Sequence, residues 1–307
     1  MTLVLLLILA GATAFTAAAL TWRWAARVGR GPAPTLDTAR RAGTAIRHEG
    51  GTPKRLAARL DPGTATGLAL TLALVVIVAG GVLLAMLAYL IRGDTDLVRF
   101  DASVAEWGQR HAAPWSTDVL EAISHLGEPK VVIVLAGVLA VVETIRTRSR
   151  WVVPFLFVVV AGNGVLTTIV KELADRVRPE VNPIAETLGP SFPSGHSSWS
   201  AAFWAAAALL LCRGRPHLAR AALVGAAAAL AITVAGTRVL LGVHWLSDVI
   251  AGLALGAAWF SVCAIAFGGR LLRFGAAAAE AARAAEGRPP KRAHVAGGHA
   301  ARPPVAR

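Results

Sequence analysis

Runs of about 20 apolar residues recur along the chain and constrain its fold more than any other feature. A membrane hydrocarbon core about 30 Å thick requires roughly 20 apolar residues per spanning helix. The hydrophobic fraction of 55% and the charged fraction of 16% agree with a chain that lies mostly in lipid. The sequence therefore predicts an all-α, polytopic membrane helix bundle with seven spans, at 3–20, 66–91, 119–142, 151–170, 197–212, 221–237 and 247–267.

For two of these predicted spans, the sequence leaves a question open: where the third begins, and whether the first is cleaved. In the third, Glu121, His125, Glu128 and Lys130 restrict the uninterrupted apolar stretch to 131–142, so its first part is expected to be an interfacial helix. The first span resembles a signal peptide in position, but its arginines follow the apolar run instead of preceding it. We expect an uncleaved anchor with its N-terminus outside; cleavage after an alanine is the alternative.

Lysine and arginine concentrate in alternate connections, at 23–59, 146–150 and 213–220, and in the tail after 267. The positive-inside rule makes these four regions cytoplasmic and turns the connections 92–118, 171–196 and 238–244 outward. The net charge of +13 forms no folded basic module, which argues against nucleic-acid binding. The expected organisation is an N-terminal helix (1–20), a basic loop (21–65), a six-helix core (66–267) and a basic, disordered tail (268–307).

Cysteines and metal-binding motifs give no sign of a cofactor. Cys212 and Cys263 both lie in apolar segments without CxxC spacing, which is typical of ordinary buried side chains. The chain contains no HExxH motif and no Cys/His cluster. We therefore expect neither a metal ion nor another cofactor, and the oligomeric state stays open.

Two polar clusters on the predicted outer face are suited to bind an anion. Lys171 supplies a point charge, and the guanidinium of Arg178 can engage two phosphate oxygens, although both residues also fit a snorkelling helix end. Ser194, Gly195 and His196 directly precede an apolar run, where the first amides of a helix bind anions. His196 can donate a proton to a departing oxygen; the alternative is a turn with an interfacial histidine.

The third cluster joins the sixth and seventh spans and contains Arg238, His244 and Asp248. His244 and Asp248 are four residues apart and share a face if a helix begins near His244. The carboxylate can then take the proton on one imidazole nitrogen and leave the other nitrogen free to attack phosphorus. An ionisable pair at the end of a membrane helix indicates a functional site.

The order and spacing of the three clusters resemble the signature of the type 2 phosphatidic acid phosphatase superfamily: K-x6-RP, then PSGH, then SR-x5-H-x3-D. Ten specified residues match, too many for a chance agreement. Thr237 stands where the family usually has serine, which keeps a hydroxyl there. The resemblance covers about 66–267 and implies the family's six-helix core, to which 3–20 adds an N-terminal transmembrane helix.

The resemblance also implies a metal-independent mechanism. His244 would attack phosphorus and form a phosphohistidine, Asp248 would orient it, and His196 would protonate the leaving oxygen and then activate water. The phosphate oxygens would be held by Lys171, Arg178, Ser194, Gly195 and Arg238. Fixed cations in a partly desolvated site stabilise phosphoryl transfer by electrostatics and positioning.

The expected substrate is a lipid phosphate or diphosphate, because the site lies between apolar walls at the membrane surface. Phosphatidic acid, phosphatidylglycerophosphate and undecaprenyl or another polyprenyl diphosphate all fit, and an outward site favours the polyprenyl carrier slightly. Two alternatives remain. A phosphate-lipid transporter would show broken helices and inverted repeats, which are not evident. A scaffold with a decayed site would have lost catalytic positions that are all present here.

Overall fold

The computed structural model describes residues 2–28, 65–93, 95–111, 114–180 and 189–271, which belong to one compact unit. These residues form helices and connections without a strand, so the predicted all-α class is confirmed. The helices are α1 (Thr2–Val28), α2 (Ala65–Leu90), α3 (Asp96–Arg110), α4 (Pro114–Ser124), α5 (Pro129–Thr147), α6 (Val152–Ala174), α7 (Gly195–Leu211), α8 (His217–Leu240) and α9 (Leu246–Leu271), with a 3₁₀ turn at His125–Gly127.

Parts of three predicted regions lie outside the described residues. They are 29–64 of the basic loop, 181–188 of the outward connection after α6, and 272–307 of the basic tail.

Five described helices are long and apolar enough to cross a membrane: α1, α2, α6, α8 and α9. Their outward faces carry large apolar side chains, such as Val75, Val78 and Val82 on α2, which lipid can cover. Helix α7 has 17 residues and α5 has 19. The chain is thus a multi-pass integral membrane protein.

The third predicted span begins later than the sequence indicated. Helix α4 ends at Ser124, and α5 starts only at Pro129, so the expected helix from 119 is broken. Glu128 is extended with ψ 134°, as residues before proline prefer. Gly127 fits the break because an added Cβ would lie 2.4 Å from Ser200 Oγ.

The outward connection 92–118 contains two helices instead of a plain loop. In α3, Asp101, Ala105 and Gly108 are buried at helical spacing, while Arg99 and Glu106 are exposed. This amphipathic pattern lays α3 along the bundle, where it packs against α8 and α9.

Helix α7 lies at the centre of the bundle and packs against α5, α6, α8 and α9. Its contact with α9 is close because Gly252 and Gly256 lack side chains. An added Cβ would lie 2.4 Å from the Ser194 carbonyl oxygen at Gly252 and 2.2 Å from that of Ser198 at Gly256. The start of α7 is thereby held against the start of α9.

The apolar core lies further along the same helices. Phe155 and Val159 of α6, Ala206 and Leu210 of α7, and Cys263 of α9 pack together there, fully or almost fully buried. The predicted burial of Cys263 is thus observed, while Cys212 at the end of α7 is half-buried.

Helix α1 packs along α8, again at glycines. A Cβ on Gly225 would lie 2.6 Å from Ala14 O, and one on Gly236 would lie 2.2 Å from Leu6 Cδ1. The predicted first span therefore belongs to a longer helix, which extends to Val28.

Candidate active site

The three polar clusters meet at one end of the bundle. Helices α6 and α8 end there, and α7 and α9 begin there. The backbone N–H of Ser194 donates to the carbonyl of Asp248 at 2.9 Å, which joins the second cluster to the third. Arg178 reaches His244 and joins the first cluster to the third. The site therefore assembles residues separated by up to 77 positions in sequence.

The turn between α8 and α9 fixes the distance from Arg238 to His244. The carbonyl of Arg238 accepts the backbone N–H groups of Val243 and His244, both at 3.2 Å. Gly242 has φ +66°, a conformation that ends helices and suits glycine. The chain reverses within five residues, and His244 lies just beyond the end of the helix that carries Arg238.

His244 is 2% exposed, and its two ring nitrogens face different partners. Arg178 Nη1 lies 3.1 Å from Nε2. Asp248 Oδ2 lies 3.5 Å from Nδ1. Because a guanidinium only donates hydrogen bonds, Nε2 must be the acceptor and Nδ1 must carry the proton. In this tautomer Nε2 carries the lone pair needed for attack, which here accepts a hydrogen bond from Arg178.

Asp248 is fully buried and accepts several hydrogen bonds. Its Oδ2 accepts the Ser191 hydroxyl and the backbone N–H of Trp245, the latter at 3.0 Å. Ser191 Oγ also lies 3.4 Å from His244 Nδ1, so the hydroxyl bridges carboxylate and imidazole. Sequence reasoning missed Ser191; its only signal is a hydroxyl two residues before the Pro193-Ser194-Gly195-His196 motif.

Helix α7 begins at the site with Ser194 as its N-cap. The Ser194 hydroxyl accepts the Ser197 hydroxyl at 3.0 Å and forms no side-chain cap bond. Apart from its own helix backbone and chain neighbours, no atom of the described residues lies within 4 Å of a Cβ built on Gly195, so the backbone there is open to a ligand. The first amides of a helix have no intrahelical acceptor and carry the positive end of its dipole.

The electrostatics of both histidines favour the neutral form. Burial lowers the pKa of His244 to about 4, against the effect of Asp248, which raises it. His196 lies in the first turn of α7, ahead of the predicted span. Burial and, to a smaller extent, the charge of Arg238 lower its pKa to about 3. A role of His196 as an acid therefore requires a nearby anion that favours the protonated ring.

The three predicted cations surround the histidines. Lys171 in the last turn of α6 donates to the carbonyl of Pro190. Arg178 Nε donates to Gly189 O at 2.8 Å, and its Nη1 donates to Val243 O at 2.6 Å. Arg238 Nη1 donates to Ser124 Oγ at 2.8 Å. Its Nε is buried and has no hydrogen-bond partner in the described part of the chain, so it can bind an incoming oxygen.

Two further charged residues lie behind the site, and sequence reasoning missed both. Arg176 contacts Asp248 and Asp101, and Asp101 comes from α3, far from the three motifs. Arg176 had a signal: it is a second arginine in the same polar cluster, two residues before Arg178. Asp101 had none beyond its place on an amphipathic helix.

The hydroxyl of Thr237, at the family's serine position, does not point to a ligand. It donates to Val234 O of its own helix at 2.7 Å and is fully buried. No group of three metal-ligating side chains occurs among the residues that the structure describes. The site brings together two imidazoles, a carboxylate and fixed cations.

Comparison with known proteins identifies similar chains. Residues 151–271 match the PAP2 superfamily. The chain is 33% identical over 150 residues to phosphatidylglycerophosphatase B from Bacillus subtilis, covering 47% of this chain and 71% of that protein. It is 38% identical over 135 residues to lipid A 1-phosphatase from Rhizobium johnstonii, covering 39% of this chain and 51% of that protein.

A solved structure has a similar fold. The crystal structure of a transmembrane PAP2-type phosphatidylglycerolphosphate phosphatase from Bacillus subtilis superposes with a TM-score of 0.60 at 27% identity. The match covers 65% of this chain and 99% of that one. The shared part is of the size of the predicted six-helix core.

Proposed function

Because the chain belongs to the PAP2 superfamily, we propose that it is a metal-independent membrane phosphatase that hydrolyses a lipid phosphate or diphosphate through a phosphohistidine. The observation that carries the proposal is the setting of His244. Its Nε2 accepts a hydrogen bond from Arg178, while Nδ1 faces Asp248. The nucleophilic nitrogen therefore points at the cation that would bring phosphate to it.

In the first step, His244 Nε2 attacks the terminal phosphorus, and the bond from that phosphorus to the leaving oxygen breaks. The leaving group is the lipid alcohol of a monophosphate or the lipid phosphate of a diphosphate. His196 gives its proton to the leaving oxygen. In the second step, His196 takes a proton from water, whose oxygen attacks the phosphohistidine and releases inorganic phosphate and neutral His244. Asp248 and Ser191 hold the Nδ1 proton and stabilise the positive charge on the ring throughout.

The general-acid role requires His196 to gain a proton when substrate binds. In the empty site its pKa is about 3, because of burial and nearby positive charge. A phosphate group with a charge near −2 reverses that balance and favours the imidazolium. Proton uptake by His196 is therefore coupled to substrate binding.

The cations would hold the phosphate oxygens. Arg178 and Arg238 lie on either side of the histidines, and Arg238 Nε has no partner among the described residues. The open backbone at Gly195 and the Ser194 hydroxyl supply further donors at the start of α7. Such fixed donors stabilise the charge that develops on the equatorial oxygens.

The proposed substrate is amphipathic and reaches the site from the non-cytoplasmic side. Basic connections at 146–150 and 213–220 lie at the other ends of the helices, which supports an outward-facing site by the positive-inside rule. Related proteins are named for phosphatidylglycerophosphate and for lipid A. Polyprenyl diphosphate and phosphatidic acid remain candidates of the same chemical class.

Phosphate release from purified protein tests this function. The detergent-solubilised chain is incubated with phosphatidic acid, phosphatidylglycerophosphate and undecaprenyl diphosphate in EDTA, and free phosphate is measured. We expect turnover on at least one of them. His244→Ala and His196→Ala should each lower kcat by at least about 100-fold, since each removes a positioned acid, base or nucleophile.

His217→Ala is the matched control because His217 is exposed at the opposite end of the bundle, at the start of α8. It should retain parental activity. Parental activity in both active-site variants would refute the assigned roles. Lipid binding without phosphate release would instead favour the phosphate-lipid transporter.

A further inference from the structure

Arg176 is shared between two buried carboxylates behind the proposed nucleophile. Its Nη1 lies 2.6 Å from Asp248 Oδ1, and its Nη2 lies 2.9 Å from Asp101 Oδ2. The guanidinium also stacks 5.4 Å from the centre of the Trp245 ring. Asp101 and Asp248 are 1% and 0% exposed, so both pairs lie away from solvent.

Ser247 ties the second carboxylate to the start of α9. Its backbone N–H donates to Asp101 Oδ1 at 3.0 Å, and its hydroxyl donates to Asp101 Oδ2. Arg176 Nη1 in turn donates to Ser247 Oγ at 2.7 Å. Helix α3 is thus joined through Asp101 to the residue that precedes Asp248.

We propose that Arg176 and Asp101 are positioning residues that set the orientation and net charge of Asp248, and through it the proton on His244. The proposal rests on the proposed function of His244 as nucleophile. Within the described part of the chain, neither side chain forms a hydrogen bond or ion pair with His244, so we expect their effect to pass through Asp248.

The orientation follows from how the two carboxylate oxygens of Asp248 are used. Arg176 binds Oδ1, which leaves Oδ2 facing Ser191, the Trp245 amide and His244 Nδ1. Rotation of the carboxylate would exchange the two oxygens and break the Arg176 contact. The guanidinium therefore holds Oδ2 towards the imidazole.

The charge of Asp101 matters because Arg176 has one positive charge for two carboxylates. When Arg176 is shared between both carboxylates, the three side chains together have a net charge of −1. Without Asp101, Arg176 would neutralise Asp248 alone, and the carboxylate would stabilise a positively charged ring less. Because these charged groups are close together and buried, solvent and salt screen such a change in charge only weakly.

Asp101→Asn tests this role, because asparagine keeps the size and an oxygen for the Ser247 amide but removes the charge. We expect kcat for lipid phosphate hydrolysis to fall by roughly 10-fold, as for other outer partners of catalytic groups. KM should stay within about twofold, because the phosphate-binding cations are untouched. Arg176→Lys, which retains one charge but not the fork, should lose less than Arg176→Ala.

Asp96→Asn is the control, since it removes a carboxylate from the same helix at a side chain that is 99% exposed. It should match the parent. In an Asp248→Asn background, Asp101→Asn should have no further effect, because the group through which it acts is gone. An equal loss in both backgrounds would overturn the proposal.

The two hypotheses fail differently. If the parent chain releases no phosphate from any lipid, the proposed function is wrong. If the parent is active and Asp101→Asn and Arg176→Lys equal it, only the positioning role is wrong. Thermal unfolding in detergent identifies a variant that does not fold. In that case Ser247→Ala, which removes a single hydroxyl, is tested instead. A parental kcat in Ser247→Ala overturns the proposal, and a reduced kcat at parental KM supports it.

Discussion

At His244, burial and neighbouring charges act in opposite directions on the imidazole. Desolvation favours the neutral ring, while Asp248 favours the charged one. Desolvation is the larger effect and brings the pKa to about 4. A nucleophilic nitrogen must be unprotonated, so this balance keeps Nε2 available well below neutral pH.

We predict that His244 titrates near pH 4, below the usual value of about 6.5. Nitrogen-15 NMR of histidine-labelled protein in detergent, with the resonance assigned by its loss in His244→Ala, measures this midpoint. Because the folded pKa lies below the unfolded one, the unfolded chain binds the proton first. Folding stability should therefore fall as the pH drops from about 6.5 to 4. A midpoint at 6.5 or above would contradict the burial of this ring.

The motif spacing predicted contacts only between side chains that are close together in the sequence. The separation of four residues predicted that His244 and Asp248 lie side by side; their Nδ1 and Oδ2 atoms are 3.5 Å apart, although α9 begins only at Leu246. Arg178 was identified as a cation, but its contact with Nε2 depends on where the connection after α6 runs. Ser191 lies two residues before the Pro193-Ser194-Gly195-His196 motif, and Arg176 is one of the unspecified residues between Lys171 and Arg178, so the motifs identified neither.

At the scale of elements, the contact between α7 and α9 holds the two histidine-bearing segments together. Gly252 and Gly256 let the backbones approach, one turn apart, directly beside Ser194 and Ser198. The Ser194 amide then reaches the Asp248 carbonyl. Small residues serve this purpose in membrane bundles, where packing and not water drives helix association.

Gly252→Ala should therefore disturb both stability and activity. Its Cβ would lie 2.4 Å from a backbone oxygen, and such overpacking costs about 1–3 kcal/mol. We expect a lower midpoint of thermal unfolding in detergent and at least a tenfold loss of phosphate release, since small displacements of reacting groups are costly.

Gly81→Ala is the matched control. Gly81 lies in spanning helix α2, and nothing lies within 4 Å of its added Cβ. It should leave both the unfolding midpoint and the activity unchanged. Equal behaviour of the two variants would show that the α7–α9 contact tolerates a wider separation than the structure indicates.

At the scale of the whole molecule, the charge distribution predicts which end of the bundle faces outward. The site end includes Glu180, and the opposite end includes Arg215; both side chains are exposed. Cys212 and Cys263 are first replaced by serine and alanine, and a single cysteine is then introduced at Glu180. We expect this cysteine to react with an impermeant maleimide in intact cells. A cysteine at Arg215 should react only after the cells are opened. The reverse pattern would invert the proposed topology.

By itself, the sequence determined the membrane environment, the helical class and the local clusters, because these follow from apolar length and from residues within one helical turn. It did not determine the start of α5, where Pro129 favours an extended Glu128 and Gly127 packs tightly against Ser200. It also did not reveal the pair of Asp101 with Arg176, since 75 residues separate them and no periodicity links α3 to the motifs. Only the tertiary structure decided those contacts, because the packing of α3 on α9 brings the two charges into one low-dielectric space.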